Sequence, residues 1–402
     1  MKKIYLFGSF ITIFLSINAQ SFKKLHQKAI VIDTHNDVLS SSVLEEKDIG
    51  RRLTTGHSDL PRWKEGGLDV QFFSVYTGPD ARNKEGVYKD ANEEIDSLEK
   101  IVMRNSDKMI LAKSFEDVER GIEQNKLVAL IGVEGGHMIE GDIKKLEALY
   151  QRGMRYLTLT WNNSTSWASS AMDETASLNP SEGGTLKNPK RTKGINDFGK
   201  QIVKRMNELG IIVDLSHTGE QTFYDALAVT TKPVLLSHSS VWNICPVFRN
   251  VKDEQIKAVA KNGGVICINF YSGFISAAFN KRADYLDGPG KKLVQDSLLV
   301  VYKDSDVMKT KWDEYYKTEL NKARPTLAQV VDHIDYIVKL VGDDYVGIGA
   351  DYDGVGSVPI ELEDVTTYPR ITKELLKRGY SKRSIRKILG ENVLRVMKAN
   401  FK

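Results

Sequence analysis

The amino-acid sequence predicts an α/β protein folded as a (β/α)8 TIM barrel, and two observations lead to this prediction. Eight short apolar runs recur along the chain, mostly β-branched or aromatic and bounded by polar residues or glycine, which is typical of buried parallel strands. Amphipathic segments separate these runs, and regular alternation of strands with helices favours a closed parallel barrel. An open doubly wound sheet is the alternative, but the first run is not followed by a glycine-rich dinucleotide-binding turn.

The predicted elements follow one another in a regular order. Strands are predicted at residues 29–33, 69–76, 127–133, 155–160, 211–215, 233–237, 264–270 and 345–350. Helices are predicted in the intervening segments, among them 90–105, 143–152, 195–209, 253–262 and 326–341. In the last of these segments the apolar residues fall on one face, as in a helix that packs against a sheet.

Three further segments depart from the simple repeat. Residues 162–194 are rich in serine, asparagine, glycine and lysine, and they are predicted to form a long loop after the fourth strand. Residues 275–325 are highly charged and are predicted to fold as a helical insertion before the last strand. Residues 380–402 are predicted to form a terminal helix, with an interruption at 390–392. We expect residues 20–402 to form a single barrel domain.

The composition is that of a globular protein with a sizeable core. Hydrophobic residues make up 41% and charged residues 27% of the 402 residues, which excludes a membrane bundle, a fibre and a disordered chain. The 57 basic and 53 acidic residues give a net charge of +4, too balanced for a protein whose partner is nucleic acid. The two cysteines allow one disulfide at most, so a disulfide scaffold is excluded.

The amino terminus has the pattern of a secretory signal peptide. Two lysines follow Met1, an apolar run covers residues 4–17, and the small residue Ala19 offers a cleavage point. The run is shorter than the roughly 20 apolar residues that span a bilayer, so an uncleaved membrane anchor is the less favoured alternative. We therefore predict a signal peptide over residues 1–19 and export to the periplasm or the extracellular space.

Histidine and carboxylate side chains, which are common metal ligands, follow five of the eight predicted strands at the point where each strand ends. In extended chain, residues two apart point to the same side, so the first two of these side chains can face one centre. The carboxyl ends of barrel strands converge on the face that carries the chemistry. The five candidate metal ligands, at four strand ends, are His35, Asp37, Glu134, His217 and His238, and Asp351 follows the eighth strand.

This set of side chains favours a metal site over five separate structural roles. A single strand-end histidine is more often a hydrogen-bonded structural residue, His35 and Asp37 alone could be a capping pair, and Glu134 alone could belong to a salt bridge. Five such residues at four strand ends indicate a shared centre instead. Imidazole and carboxylate together suit Zn, and also Mn, Co or Fe. Two such metals, with one bridging carboxylate, can hold a hydroxide nucleophile between them.

The chain resembles the membrane dipeptidases, also called renal-type dipeptidases, over about residues 29–392. Each matching segment is weak evidence alone, but their joint order and spacing are specific. The segments are DTHND at 33–37, QFFSVY at 71–76, VEGGH at 133–137, GMRYLTLT at 153–160, VDLSH at 213–217, SHSS at 237–240 and GIGADYDG at 347–354.

The resemblance implies a zinc-dependent barrel of the metallo-dependent hydrolase type. It implies that two zinc ions hold a bridging hydroxide, which hydrolyses the peptide bond of a dipeptide. His35 and Asp37 would bind one zinc ion, His217 and His238 the other, and Glu134 would bridge them. The family commonly forms homodimers, and it accepts dipeptides whose C-terminal residue is D-configured.

The resemblance also implies roles for residues beyond the ligands. The carboxylate Asp351 would carry a proton from the nucleophile to the leaving amine, near the free amino group of the substrate. Arg249 matches the arginine that pairs with the substrate carboxylate, a task that suits the guanidinium fork. Tyr271, together with Asn269, is expected to line the pocket.

One position departs from the family pattern. The best-known members have a histidine directly after the Leu-Thr-Leu-Thr run, where it contacts the substrate and stabilises the oxyanion. Here that position is Trp161, whose indole donates one hydrogen bond but cannot become cationic. The next residue, Asn162, is expected to supply a neutral donor instead.

Two other functions are compatible with a barrel that carries these residues. A lactonase or phosphotriesterase type of binuclear amidohydrolase begins with His-x-His and bridges its metals with a modified lysine. The pair His35 and Asp37, followed by Glu134, argues against that class. A secreted binding protein that has lost its catalytic activity is the third interpretation. Loss of catalysis should allow the candidate metal ligands to be replaced, but all five are present.

Overall fold

The computed structural model describes residues 22–176 and 193–402 of the chain. The predicted signal peptide at 1–19 and part of the predicted loop at 162–194 lie outside these ranges. Within them, no helix combines the length and the apolar character that crossing a bilayer would require.

Eight parallel strands close into a barrel, which confirms the predicted (β/α)8 fold. The strands found in the described residues are β1 (Ile32–Asp33), β2 (Val70–Val75), β3 (Met109–Leu111), β4 (Leu127–Glu134), β5 (Met154–Thr158), β6 (Ile212–Asp214), β7 (Leu235–Ser239), β8 (Val265–Ile268) and β9 (Val346–Ile348). Each barrel strand pairs with the next, and β9 pairs with β1 to complete the ring. The longest ladder joins β2 to β4, in register from Val70 opposite Val128 to Val75 opposite Val133.

The strand β3 is an addition that the sequence pattern did not predict. It pairs only with the first residues of β4, from Met109 opposite Leu127 to Leu111 opposite Ala129. Further along, β4 pairs with β5 instead, and a register shift follows Ile131. The barrel strands themselves are mostly shorter than predicted, β1 being reduced to two residues.

Helices surround the barrel and connect its strands. They are Leu60–Gly66, Val87–Arg104, Phe115–Glu123, Ile143–Arg152, Ala171–Ala176, Asp197–Leu209, Glu220–Val229, Asp253–Asn262, Ser272–Ile275, Ala277–Asp287, Pro289–Tyr302, Ser305–Ala323, Leu327–Val341, Tyr368–Lys377, Lys382–Arg386 and Asn392–Asn400. Three of them, Ala277–Asp287, Pro289–Tyr302 and Ser305–Ala323, form the predicted insertion before the last strand. A π-helical turn at Lys387–Glu391 interrupts the terminal helix close to the predicted position.

Local signals in the sequence explain where the helices begin and end. The helix Asp197–Leu209 starts after Asn196, whose side chain accepts a hydrogen bond from the main-chain N–H of Gly199. Such a cap satisfies a donor that the first turn would otherwise leave unpaired. The same helix ends at Gly210, whose φ of 88° lies in the left-handed region that glycine adopts without strain. The chain then turns directly into β6.

Two buried clusters make up the core. The larger one lies between strands and helices, and it includes the inward faces of Leu327–Val341 and Ile143–Arg152. The smaller one joins alternate strand residues, such as Phe72 and Tyr156, to the last helix. Tyr156 fits against Gly132, where a Cβ atom would lie 1.9 Å from the phenol ring. A glycine at that position is therefore required for Tyr156 to enter the barrel.

Candidate metal centre and active site

The five predicted metal ligands meet at the carboxyl end of the barrel, with Glu134 in the middle. Oε2 of Glu134 lies 3.4 Å from Nε2 of His35, and its Oε1 lies 2.9 Å from Nε2 of His217 and 3.2 Å from Nε2 of His238. Asp37 Oδ2 lies 3.3 Å from the same nitrogen of His35. All five side chains are buried. The two oxygens of Glu134 thus face two different halves of one cluster.

Lone pairs, not protons, point into one half of this cluster. His217 and His238 bring their Nε2 atoms within 2.9 Å of each other. The Nδ1 atom of His217 lies 2.9 Å from Oδ1 of Asn162, an oxygen that can only accept, so the proton of the neutral ring is on Nδ1. Burial lowers the pKa of His217 to about 3 and that of His238 well below its usual range. The neutral imidazoles therefore present an arrangement of acceptors that a cation would stabilise.

The other half contains buried polar atoms without hydrogen-bond partners among the described residues. They are Nε2 of His35 and Oδ1 of Asp37. Burial opposes a charge on His35, but the oxygens of Tyr156, Asp37 and Glu134 outweigh it and raise the pKa of the imidazole. Burial alone would raise the pKa of Glu134, yet the three histidines around it hold that pKa well below its usual range.

Two groups of three side chains have a spacing that suits a metal ion. In each group the candidate ligand atoms lie within 4.8 Å of one another, and every residue is buried. One group is His35, Glu134 and His238, and the other is His35, Asp37 and Asp351. Because buried charges and unpaired acceptors are costly unless they are compensated, these residues fit a bound metal. Nitrogen and carboxylate donors are the ligands that zinc prefers in such sites.

Two residues of the cluster have a left-handed backbone conformation, and a glycine packs closely against it. His217 and Asp351 have φ values of 63° and 62°, in the left-handed region that non-glycine residues rarely adopt. Such strain is concentrated at functional sites. Gly354 packs against the cluster, and a Cβ atom there would lie 2.0 Å from Oδ2 of Asp37 and 2.6 Å from Oδ1 of Asp351.

A cavity of about 450 Å³ opens directly onto the cluster. All of the residues predicted to bind substrate line it, and these are Trp161, Asn162, Arg249, Tyr271 and Asp351. Glu134, His217 and Asp37 form part of the same wall. A cavity of this size can enclose a small ligand but not a folded polypeptide.

Arg249 lies on this wall as a buried cation with few protein partners. Nη2 donates to the main-chain oxygen of His238 at 3.1 Å, whereas Nε has no partner among the described residues. The guanidinium lies 5.4 Å from the ring centre of Phe274. Burial lowers the pKa of Arg249 to about 10. The remaining donors are therefore available to an anion in the cavity.

Asp351 lies on the cavity wall beside the candidate metal ligand His35. Its Oδ2 accepts a hydrogen bond of 2.7 Å from Nδ2 of Asn269, and its Oδ1 lies 3.9 Å from Nε2 of His35. Burial, together with the charges of Asp37 and Glu134, raises the pKa of Asp351 well above its usual range. A carboxyl group with a raised pKa can take up and return a proton near neutral pH. Asn269, which was expected to line the pocket, is not one of the residues that line the cavity and contacts Asp351 instead.

The tryptophan that departs from the family pattern stands beside the cluster. The ring centre of Trp161 lies 5.2 Å from that of Tyr76 and 6.2 Å from that of His217. The side-chain oxygen of Asn162 is occupied by His217, so this residue orients a candidate ligand. Its amide nitrogen is the group left to serve as the donor predicted from the sequence.

Sequence reasoning did not identify some residues that contact the candidate ligands. Nδ1 of His35 lies 2.8 Å from the hydroxyl of Tyr156, and Nδ1 of His238 lies 2.7 Å from Oγ of Ser237. Both partners lie inside strands, where tyrosine and serine are ordinary residues, so no sequence signal marked them. His137 contacts the main-chain oxygen of Thr77 and is not one of the residues that line the cavity.

Comparison with known proteins shows the family and the fold of this chain. Residues 19–401 match the family model described as membrane dipeptidase, peptidase family M19. Three solved structures share the fold.

The first is the probable dipeptidase PvdM from Pseudomonas aeruginosa, with 22% identity, a TM-score of 0.76, and coverage of 96% of this chain and 98% of that one. The second is the dipeptidase AC, a metallopeptidase of family M19, with 22% identity, a TM-score of 0.72, and coverage of 93% and 99%. The third is a metallopeptidase from Rhodobacter sphaeroides liganded with a phosphinate mimic of the dipeptide L-Ala-D-Ala. It has 21% identity, a TM-score of 0.69, and coverage of 93% and 100%.

The structural similarity establishes the barrel, and the family model spans nearly the whole chain. The chain therefore belongs to the membrane dipeptidase family, peptidase family M19.

Proposed function

We propose that this protein is a zinc-dependent dipeptidase that hydrolyses the peptide bond of dipeptides. In this proposal His35 and Asp37 bind one zinc ion, His217 and His238 bind a second, and Glu134 is shared between them. The observation that carries the proposal is the position of Glu134, whose two oxygens face the two histidine groups separately. A carboxylate placed in this way is suited to bridging two cations.

The metal ions and the protein would divide the chemistry between them. When bound, two zinc ions supply a nucleophile near neutral pH by lowering the pKa of water, and they polarise a carbonyl group. Asp351 then takes the proton of the nucleophile and returns it to the departing amine. Its raised pKa and its fixed hydrogen bond to Asn269 suit a group that must hold a proton transiently.

Two charged anchors explain why a dipeptide is the proposed substrate. Arg249 offers unpaired donors for the C-terminal carboxylate, and Asp351 offers negative charge near the N-terminal amine. Both residues line the same cavity of about 450 Å³. Since a longer peptide would place one of its terminal charges beyond reach, the site would favour substrates with both charges close together.

The substitution at Trp161 bears on turnover. We propose that the indole N–H and the amide nitrogen of Asn162 take the place of the family histidine as neutral donors to the oxyanion. Loss of one oxyanion donor costs about 10²–10³ in rate, so a neutral replacement is expected to slow turnover. Trp161→His should then raise kcat, and unchanged or lower kcat at equal zinc content would contradict this role.

The direct test is hydrolysis of a substrate panel by the zinc-loaded mature chain. The panel contains dipeptides with L- or D-configured C-terminal residues, the same dipeptides N-acetylated or C-amidated, a tripeptide, a lactone and a phosphotriester. The proposal expects cleavage of free dipeptides and a large loss of kcat/KM for either blocked form. Turnover of only the lactone or the phosphotriester would indicate another amidohydrolase, and zinc binding without any turnover would indicate a binding protein.

The bridging role of Glu134 can be tested with a matched pair of variants. Glu134→Gln removes a negative charge between the two metal positions, so the variant should lose zinc and turnover together. Glu94→Gln is the control, because it makes the same change at a buried carboxylate outside the cluster, one that pairs with Arg82 and accepts the main-chain N–H of Tyr76. This variant should keep its zinc. Full zinc content and wild-type turnover in Glu134→Gln would refute the shared-ligand arrangement.

A further inference from the structure

The Nδ1 atom of His238, the ring nitrogen that faces away from Glu134, contacts the hydroxyl of Ser237, and that hydroxyl donates its proton elsewhere. Nδ1 of His238 lies 2.7 Å from Oγ of Ser237. That hydroxyl donates to Oδ2 of Asp214 at 2.7 Å. A hydroxyl group has only one proton to give, so towards His238 the oxygen of Ser237 can only accept.

Asp214 accepts hydrogen bonds at both of its oxygens. Its Oδ1 receives the main-chain N–H groups of Ser216 at 3.2 Å and Ser237 at 2.8 Å. Its Oδ2 receives the hydroxyls of Thr158 at 2.5 Å and Ser237 at 2.7 Å. Four donors fill the acceptor sites of an ionised carboxylate. The residue is completely buried, so water cannot exchange for these partners.

We propose that Asp214 and Ser237 are positioning residues that fix the proton of His238 on Nδ1 and thereby leave the Nε2 lone pair facing Glu134. The chain of hydrogen bonds runs in one direction, from His238 to Ser237 to Asp214. The effect of this hydrogen-bond chain on zinc binding rests on the proposed function, whereas the position of the proton on His238 does not. Groups behind a metal-binding histidine commonly orient the ring and select its tautomer.

The neighbouring candidate ligand His217 also carries its proton on Nδ1, but through a direct contact with one acceptor. Its Nδ1 faces Oδ1 of Asn162 directly at 2.9 Å, with no hydroxyl between. A serine hydroxyl between a carboxylate and a histidine can donate in either direction. It donates to the carboxylate, and so accepts from the histidine, only while the carboxylate has no proton to donate. The structure therefore assigns Asp214 a specific requirement, namely that it remain an acceptor, and this requirement can be tested by an isosteric change.

Asp214→Asn should reverse the direction of the chain without altering its shape. The two main-chain donors keep the amide oxygen at the Oδ1 position, which places the NH₂ group opposite Thr158 and Ser237. The hydroxyl of Ser237 would then accept from Asn and donate to Nδ1 of His238, which moves the imidazole proton to Nε2. Ser237→Ala only removes the acceptor, so it should be the milder change. Thr158→Val is the matched control, because it removes the other hydroxyl on the same oxygen.

The first measurement is the tautomer of His238 in the metal-free wild-type protein. Histidine ¹⁵N chemical shifts distinguish protonated from unprotonated ring nitrogens, and the seven histidines are assigned with His238→Asn. The inference expects the proton on Nδ1 in the wild type and on Nε2 in Asp214→Asn. A wild-type ring protonated on Nε2 would overturn it.

The second measurement is zinc affinity by competition with a chelator. Asp214→Asn should weaken the affinity by about 10–100-fold, in the range for changes behind a metal ligand. Ser237→Ala should weaken it less, and Thr158→Val should stay close to the wild type. If Asp214→Asn and Thr158→Val lost zinc affinity equally, Asp214 would contribute only packing, and the inference would be overturned. Failure of dipeptide hydrolysis alongside the expected tautomer would count against the proposed function only.

Discussion

Replacing Arg249 by methionine should damage activity without damaging the fold. The guanidinium is buried, and within residues 22–176 and 193–402 only its Nη2 has a hydrogen-bond partner, the main-chain oxygen of His238. Burial lowers its pKa to about 10, a shift that corresponds to about 3 kcal/mol against the charged form. A base whose pKa is lowered by folding destabilises the folded state at neutral pH. Methionine removes that cost while keeping a side chain of similar length.

The expected loss lies in substrate binding. Hydrogen bonds to charged groups contribute about 1.5–3 kcal/mol each, so a two-pronged contact with a carboxylate is worth about 3–6 kcal/mol. Allowing for repacking, kcat/KM of Arg249→Met for a free dipeptide should fall by at least about 10²-fold. Arg249→Lys keeps the charge but not the fork, so it should lose less. For the methionine variant, the free energy of unfolding in urea should stay equal to that of the wild type or rise.

Arg155 provides a matched control on the same barrel. It is also buried, but its donors reach the main-chain oxygens of Lys113, Tyr150 and Met154. Arg155→Met should therefore lower the free energy of unfolding by about 2–3 kcal/mol, since it leaves buried acceptors unpaired, and should preserve kcat/KM. A fall in stability for Arg249→Met with unchanged kcat/KM would show that Arg249 supports the fold and does not bind the substrate carboxylate.

Three further predictions follow from other parts of the structure. Gly354→Ala would place a Cβ atom 2.0 Å from Oδ2 of Asp37, so the variant should bind zinc more weakly while its circular dichroism spectrum stays unchanged. Asp351→Asn should lower kcat by about 10²–10⁴-fold, as expected for loss of a proton carrier, with zinc content retained in elemental analysis. Burial lowers the pKa of His333 to about 4, whereas an unfolded histidine titrates near 6.5. The unfolded state therefore binds more protons between these values, and stability falls as pH drops from about 6.5 to about 4. Relative to His333→Gln, the wild type should lose up to about 3 kcal/mol over that window in urea unfolding.

The barrel could be predicted from the sequence because its strands are buried on both faces. Such strands appear as short continuous apolar runs, and all eight were found in the correct order. The strand at Met109–Leu111 was missed, since it is only three residues long and pairs with one part of one neighbour. Its pattern is too short to distinguish from a loop next to the helix Phe115–Glu123.

The convergence of the candidate metal ligands could be predicted from the sequence, whereas the groups that orient them could not. His35 and His217 lie shortly after β1 and β6, and His238 lies one residue before the end of β7. The barrel brings these strand ends together whatever the loops do. Tyr156 and Ser237 lie within strands, where such residues are common, and their roles depend on distances that no sequence pattern carries. Asn162 was expected to act on the substrate, but its oxygen is directed at His217.

The proposed function requires two zinc ions at one shared carboxylate. The most direct test removes metal from the purified protein with a chelator and then adds zinc stepwise while hydrolysis of a free dipeptide is followed. Activity should rise to a plateau at two zinc ions per chain, and Glu134→Gln should not reach that plateau. Full activity at one zinc ion per chain, or two bound zinc ions without hydrolysis of any dipeptide, would contradict the proposed function.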